Sequence, residues 1–126
     1  MRCVVTLLYG VDGAKLNIYF FMCKSEIYDF ILTTVEEKTE VAEERILSSE
    51  RTAEVVEARC LFFFFLWRAG FSPTLIAEKS GHTRQSISKH IESFDDRLMV
   101  GGKMFAIFAQ RIGRVLAMEG LISGEW

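Results

Sequence analysis

A single proline, Pro73, leaves this chain of 126 residues with few helix breakers. Cysteine is also scarce: Cys3, Cys23 and Cys60 form no CxxC pair, and an odd number suits neither a disulfide framework nor a cysteine zinc site. Cys60 sits inside an apolar run and reads as a small core residue in a reducing cytosol. The longest such run, "CLFFFFLW" from Cys60 to Trp67, falls far short of the roughly 18 to 20 residues of a spanning helix, so it predicts core and no membrane partner. The opening "MRCVVTLLYGVDG" lacks the long apolar region and small-residue cleavage pattern of a signal peptide. No GxxxxGK[ST] loop is present to cradle a nucleotide. The two histidines, His82 and His90, have no cysteine or acid to complete a metal set, and no Ser, His and Asp arrangement emerges from spacing. The expectation is a protein without cofactor, nucleotide or metal, and not an enzyme.

The length suits one compact domain with a real core. A formal charge of −2 excludes a generally sticky polycation, but the charge is uneven. Residues 1 to 58 hold six Lys/Arg against eleven Asp/Glu, and residues 59 to 126 hold nine against six. The second half is the place for a polyanion to dock.

Residues 1–23 form an N-terminal segment with two readings. "RCVVTLLYG" and "KLNIYFF" flank "VDGA" as a β-hairpin with Asp12-Gly13 at its tip would, or translation begins at Met22. Helical patterning starts directly afterwards. Ser25 reads as an N-cap, and Ile27, Phe30, Ile31 and Val35 fall on one face. The acidic stretch Glu36 to Glu44 reads as a solvated face holding the first connection. A longer helix follows over about Arg51 to Arg68, capped by Ser48 or Ser49. Two adjacent stripes, Val55, Phe62, Leu66 and Val56, Phe63, Trp67, make it the central helix of a small bundle.

"SPTLIAEKSG" is a short helix with Ser72 as N-cap and Pro73 at its first position, where the missing N–H costs nothing. Thr83 caps the next, in which Ile87, Ile91, Phe94 and Leu98 face the core. "VGGK" breaks the chain, and a last helix to about Met118 places Met104, Phe105, Phe108, Ile112 and Val115 inward. The predicted fold class is all-α, a small helical bundle. Its domain runs over 24–99, with residues 100–126 as a C-terminal helix packed on it.

A short helix, a tight turn and a second helix with a polar outer face describe a helix-turn-helix. Ala77 is small at the helix crossing, Gly81 follows four residues later where a turn needs positive φ, and Ile87 lies six further on as the anchor. Arg84, Gln85, Ser88, Lys89 and Glu92 remain outside. Arginine pairs with guanine O6 and N7, and glutamine with adenine N6 and N7, so Arg84, Gln85, Ser88 and Lys89 are the candidate base readers. Ser72, Thr83, Ser86 and His90 are the candidate phosphate contacts. A merely solvated face would show the same polarity, and a glycine turn suits any helical hairpin.

The stretch "SSERTAEVVEARCLFFFFLWRAGFSPTLIAEKSGHTRQSISKHIESF" resembles the C-terminal DNA-binding domain of the bacterial chromosomal replication initiator DnaA, over roughly Glu26 to Leu98. The resemblance rests on Arg51 standing eight residues before Arg59 of the Ala58-Arg59 pair, then an apolar helix and the helix-turn-helix. It implies that Arg51 enters the minor groove, while Arg59 orients neighbours or touches a phosphate. The family's recognition helix opens close to G-R-D-H-T-T-V. Aligning that valine with Ile87 puts Thr83, Arg84, Gln85 and Ser86 where D, H, T and T stand, and the turn is one residue shorter. Ser48, Ser49 and Glu50 also make the loop around Arg51 less basic. The resemblance therefore implies the fold and binding of double-stranded DNA, in transcription regulation or replication initiation, without implying the family's DNA sequence. The competing expectation is an interaction module with a protein partner or a homodimer, motivated by the acidic first half.

Overall fold

The computed structural model describes residues 23–100 and 102–122. The expected hairpin and the alternative start at Met22 lie outside the described residues, as does Cys3. Seven helices are present among the described residues: α1 (Lys24–Thr39), α2 (Glu43–Leu47), α3 (Ala53–Arg68), α4 (Pro73–Ser80), α5 (Arg84–Glu92), α6 (Phe94–Val100) and α7 (Lys103–Met118). They form a small all-α bundle.

The central position of α3 follows from its composition. Every side chain from Ala58 to Leu66 is buried, Arg59 included, and α3 touches all six other helices. Tyr28 of α1 meets Phe62 edge-on at 5.2 Å, and Phe94 of α6 stacks flat on Phe64 at 3.6 Å. Each phenylalanine removed from water in this way contributes about 2 to 3 kcal/mol. Trp67 departs from the expected inward stripe. It is the penultimate residue of the helix and is 42% exposed.

Several helix ends differ from the sequence reading. The first helix begins one residue before Ser25, with Cys23 at the N-cap and its N–H donating to Glu26 Oε1 at 3.1 Å. The third is entered from Thr52, not from Ser48 or Ser49. Ser48 instead folds the preceding loop, donating to the Arg45 carbonyl and accepting from the Glu50 N–H. The acidic stretch contains a helix of its own, α2, whose five residues are too few for a periodic signal. Val41 and Ile46 are buried beside the charges.

The expected continuous helix through Leu98 divides at Ser93. The His90 carbonyl accepts from the Cys60 thiol at 3.2 Å and from Ser93 Oγ at 3.0 Å, which competes with the regular ladder at this point. In α7 the buried residues are Phe105, Ala109, Ile112, Gly113 and Leu116, while Met104 is turned outward and 54% exposed. Val115 and Phe108 are half-buried.

The helix-turn-helix consists of α4 and α5. Ser72 Oγ accepts from the Leu75 N–H at 3.2 Å, and Thr83 Oγ1 accepts from the Ser86 N–H at 3.1 Å, so both expected caps are formed. Gly81 closes α4 in the left-handed region with φ of 80°, its N–H donating to the Ala77 carbonyl at 3.0 Å. A Cβ there would meet nothing within 4 Å, so backbone conformation and not space calls for glycine. Ile87 is fully buried, and α5 packs on α3 and α4. None of the helices among the described residues is long and apolar enough to cross a membrane.

Candidate nucleic-acid interface

Two structures meet to form the candidate site. The first is the polar side of α5. Thr83, Arg84, Gln85 and Lys89 are exposed, and Ser86, Ser88 and His90 are half-buried. Burial of Ile87 turns Gln85, Ser86, Ser88 and Lys89 away from the core, while Thr83 and Arg84 are exposed at the start of the helix. The side chains of Arg84, Gln85, Ser88 and Lys89 make no hydrogen bond or ion pair among the described residues. They are available to a ligand.

The second is the loop between α2 and α3, which carries Arg51. A five-residue helix leaves its last carbonyls without helical partners, and here side chains supply the donors. Arg59 donates from Nε to the Ile46 carbonyl at 2.8 Å and from Nη2 to the Arg45 and Ser48 carbonyls at 3.2 and 2.6 Å. His82 Nε2 donates to the Leu47 carbonyl at 3.0 Å, which fixes the tautomer with its hydrogen on Nε2. Four successive carbonyls are thus held. Arg59 lies 4% exposed, and burial pulls its pKa below the usual arginine value, Glu50 opposing and Arg51 reinforcing that shift. Of the two roles implied for Arg59, the contacts fit orientation of neighbours.

Glu50 is diverted from Arg51. Its carboxylate takes a two-point hydrogen bond from Arg45, at 3.2 and 2.7 Å, and a third from Thr52 Oγ1 at 2.9 Å. These bonds, Arg45 first, hold its pKa down at about 2. The Arg51 side chain, exposed, makes no ion pair among the described residues.

Loop and helix line one concavity of about 1290 Å³. Ser49, Arg51 and Arg59 contribute from the loop and α3, and Thr83, Arg84, Gln85, Ser86, Ser88, Lys89 and His90 from the helix-turn-helix. Eight of the nine residues singled out in the sequence therefore share one surface. Ser72 does not: it stands outside the concavity as the cap of α4. His90 needs a different correction, because a phosphate contact is strongest when cationic. Burial first, then the charges of Arg59, Arg97 and His82, push its pKa down to about 4, so it is neutral near pH 7. Its ring packs on Phe63 with centroids 5.4 Å apart.

Sequence reasoning missed Ser49 and His82. In the sequence His82 stands out only as a histidine with no metal set to join, whereas its ring packs edge-on with Phe63 at 5.4 Å and its backbone N–H donates to Ser80 Oγ at 3.3 Å. The one carbonyl it serves, that of Leu47, ends a helix without a sequence signature, so no local pattern marked it. Cationic Arg51, Arg84 and Lys89 surround the concavity with hydroxyl and amide groups between them, and Glu92 is its acidic member. Such a surface can take a phosphate backbone and present hydrogen-bond donors to base edges.

Comparison with protein-family models, with curated proteins and with solved structures gives no match. The fold itself defines the class: an all-α bundle with a helix-turn-helix and an arginine loop beside its second helix.

Proposed function

We propose that this chain is a sequence-specific double-stranded DNA-binding module of the cytoplasm, similar to the initiator's C-terminal domain in its helix order and in the Arg51 and Arg59 spacing. The observation that carries this reading is the shared surface of Arg51, Arg84, Gln85, Ser88 and Lys89, whose side chains make no hydrogen bond or ion pair among the described residues. The N-terminal end of α5 enters the major groove, where Arg84, Gln85 and Ser88 read bases, and Thr83 holds a phosphate. Lys89, a base-reading candidate in the sequence, is assigned to a phosphate as well, because its ammonium is a point charge without the paired donors of arginine. Arg51 enters the adjoining minor groove. The module acts as a transcriptional regulator or as an accessory factor in replication initiation. Selection of bound sites from random duplex DNA tests the reading. A recovered consensus, bound with an affinity that falls steeply with salt, is expected. Recovery of no consensus, with weak binding insensitive to salt, would refute it.

The second reading, a protein-interaction module, draws on exposed apolar side chains around the junction of α6 and α7. Met99 and Val100 are each 84% exposed, and Met104 is 54% exposed. A stoichiometric protein partner together with no DNA binding at low salt would favour it.

A further inference from the structure

The geometry points to His82 as a positioning residue for Arg51: from the turn of the helix-turn-helix it latches the arginine loop in place, so that loop and recognition helix form one rigid reader. This rests on the DNA-binding reading above and adds to it the part that sets the spacing of the two contacts.

Two hydrogen bonds and a ring contact hold the latch. The His82 backbone N–H is tied to Ser80 Oγ at 3.3 Å, its ring packs edge-on with Phe63 at 5.4 Å, and Nε2 reaches the Leu47 carbonyl at 3.0 Å. Arg59 holds the carbonyls on either side of Leu47, but it does so from α3. Only three residues lie between Leu47 and Arg51, and only Thr83 lies between His82 and Arg84. Little chain is left to flex between each end of the latch and the side chain it serves. An unlatched loop would lose backbone freedom for each residue ordered on binding, whereas a latched one loses it during folding. With Nε2–H committed to Leu47, His82 acts through Arg51 rather than as a phosphate contact.

His82→Leu keeps apolar bulk beside Phe63 but removes the donor, and His82→Gln keeps an N–H donor. On the duplex recovered by selection, Arg51→Ala is expected to weaken binding roughly tenfold. His82→Leu should weaken it to a comparable extent, the double variant should be no weaker than Arg51→Ala alone within about twofold, and His82→Gln should recover most of the loss. Additive losses, or wild-type binding by His82→Leu, would overturn the proposal. Amide hydrogen exchange on the free protein gives an answer that does not depend on DNA. Residues 48–52 should exchange faster in His82→Leu while α3 keeps its protection, and unchanged exchange in 48–52 would eliminate the latch. Absence of duplex binding by the wild-type chain would instead sink the DNA-binding reading, with the exchange result still deciding the latch.

Discussion

Arg59 Nη2 lies 2.6 Å from the Ser48 carbonyl oxygen, the shortest of three hydrogen bonds by which one buried guanidinium holds the loop before its own helix. A cation at the carboxyl end of α2 also suits that helix's dipole. Truncation to Arg59→Leu removes all three donors and leaves the carbonyls near α3 without them. The expected destabilisation is about 2 to 4 kcal/mol, measured as a lower midpoint in urea. Arg59→Lys should recover less than half, because an ammonium cannot reproduce the planar fork. A variant as stable as the wild type would show that water replaces the guanidinium without loss.

The exposed readers should separate by kind of effect. Arg84→Ala and Gln85→Ala are expected to cost about 1 to 3 kcal/mol of binding to the selected site and to relax preference at one position each. Lys89→Ala should weaken all duplexes alike and lower the slope of log affinity against log salt by about 1. None of the three should alter thermal stability by more than about 0.5 kcal/mol, since these side chains make no hydrogen bond or ion pair among the described residues. Fluorescence-anisotropy titrations across a salt series distinguish the two patterns.

Most of this interface follows from periodicity. Ile87 buried at its helical spacing turns Gln85, Ser88 and Lys89 outward, Arg84 is exposed as the first residue of the helix after its Thr83 cap, and Ser72 with Pro73 marks the start of α4 by local chemistry alone. The arginine loop was less accessible, because its shape depends on contacts 11 to 35 residues apart, from Arg59 to Ser48 and from His82 to Leu47. A five-residue helix adds no pattern of its own. Met104 and Trp67 erred for a related reason: both lie near helix ends, where an apolar residue can leave the face that periodicity assigns it. The divided helix at Ser93 depends on a thiol from another helix, which no window of local sequence contains.

Gly81 supplies a cheap test of the turn. With φ of 80°, any side chain is strained there although space is open. Gly81→Ala should destabilise by about 1 kcal/mol, and Gly81→Asn by less, because asparagine tolerates the left-handed region. Chemical denaturation of the two variants gives the order directly. The reverse applies at Glu40, the one described non-glycine residue with positive φ, at 60°. Glu40→Gly should stabilise the chain by about 0.5 to 1 kcal/mol.

Acidification should weaken the fold in two separate windows. His90 has a folded pKa of about 4 against an ordinary 6.5, lowered chiefly by burial. Between those values the unfolded chain binds a proton that the folded chain refuses, so stability is complete above about pH 6.5 and declines as pH falls toward 4. At 1.36 kcal/mol for each pH unit of difference the loss would be roughly 3 kcal/mol, and solvent screening of the half-buried ring brings it to about 1 to 2 kcal/mol. Glu50, held near 2 by Arg45 and Thr52, acts lower: its contribution is present above about pH 4.5 and disappears as pH falls through 2. Urea midpoints measured from pH 7 to pH 4 should therefore fall in the wild type and fall less in His90→Leu, which keeps bulk against Phe63 but cannot titrate. Equal slopes in the two proteins would show that His90 is protonated without penalty in the folded state.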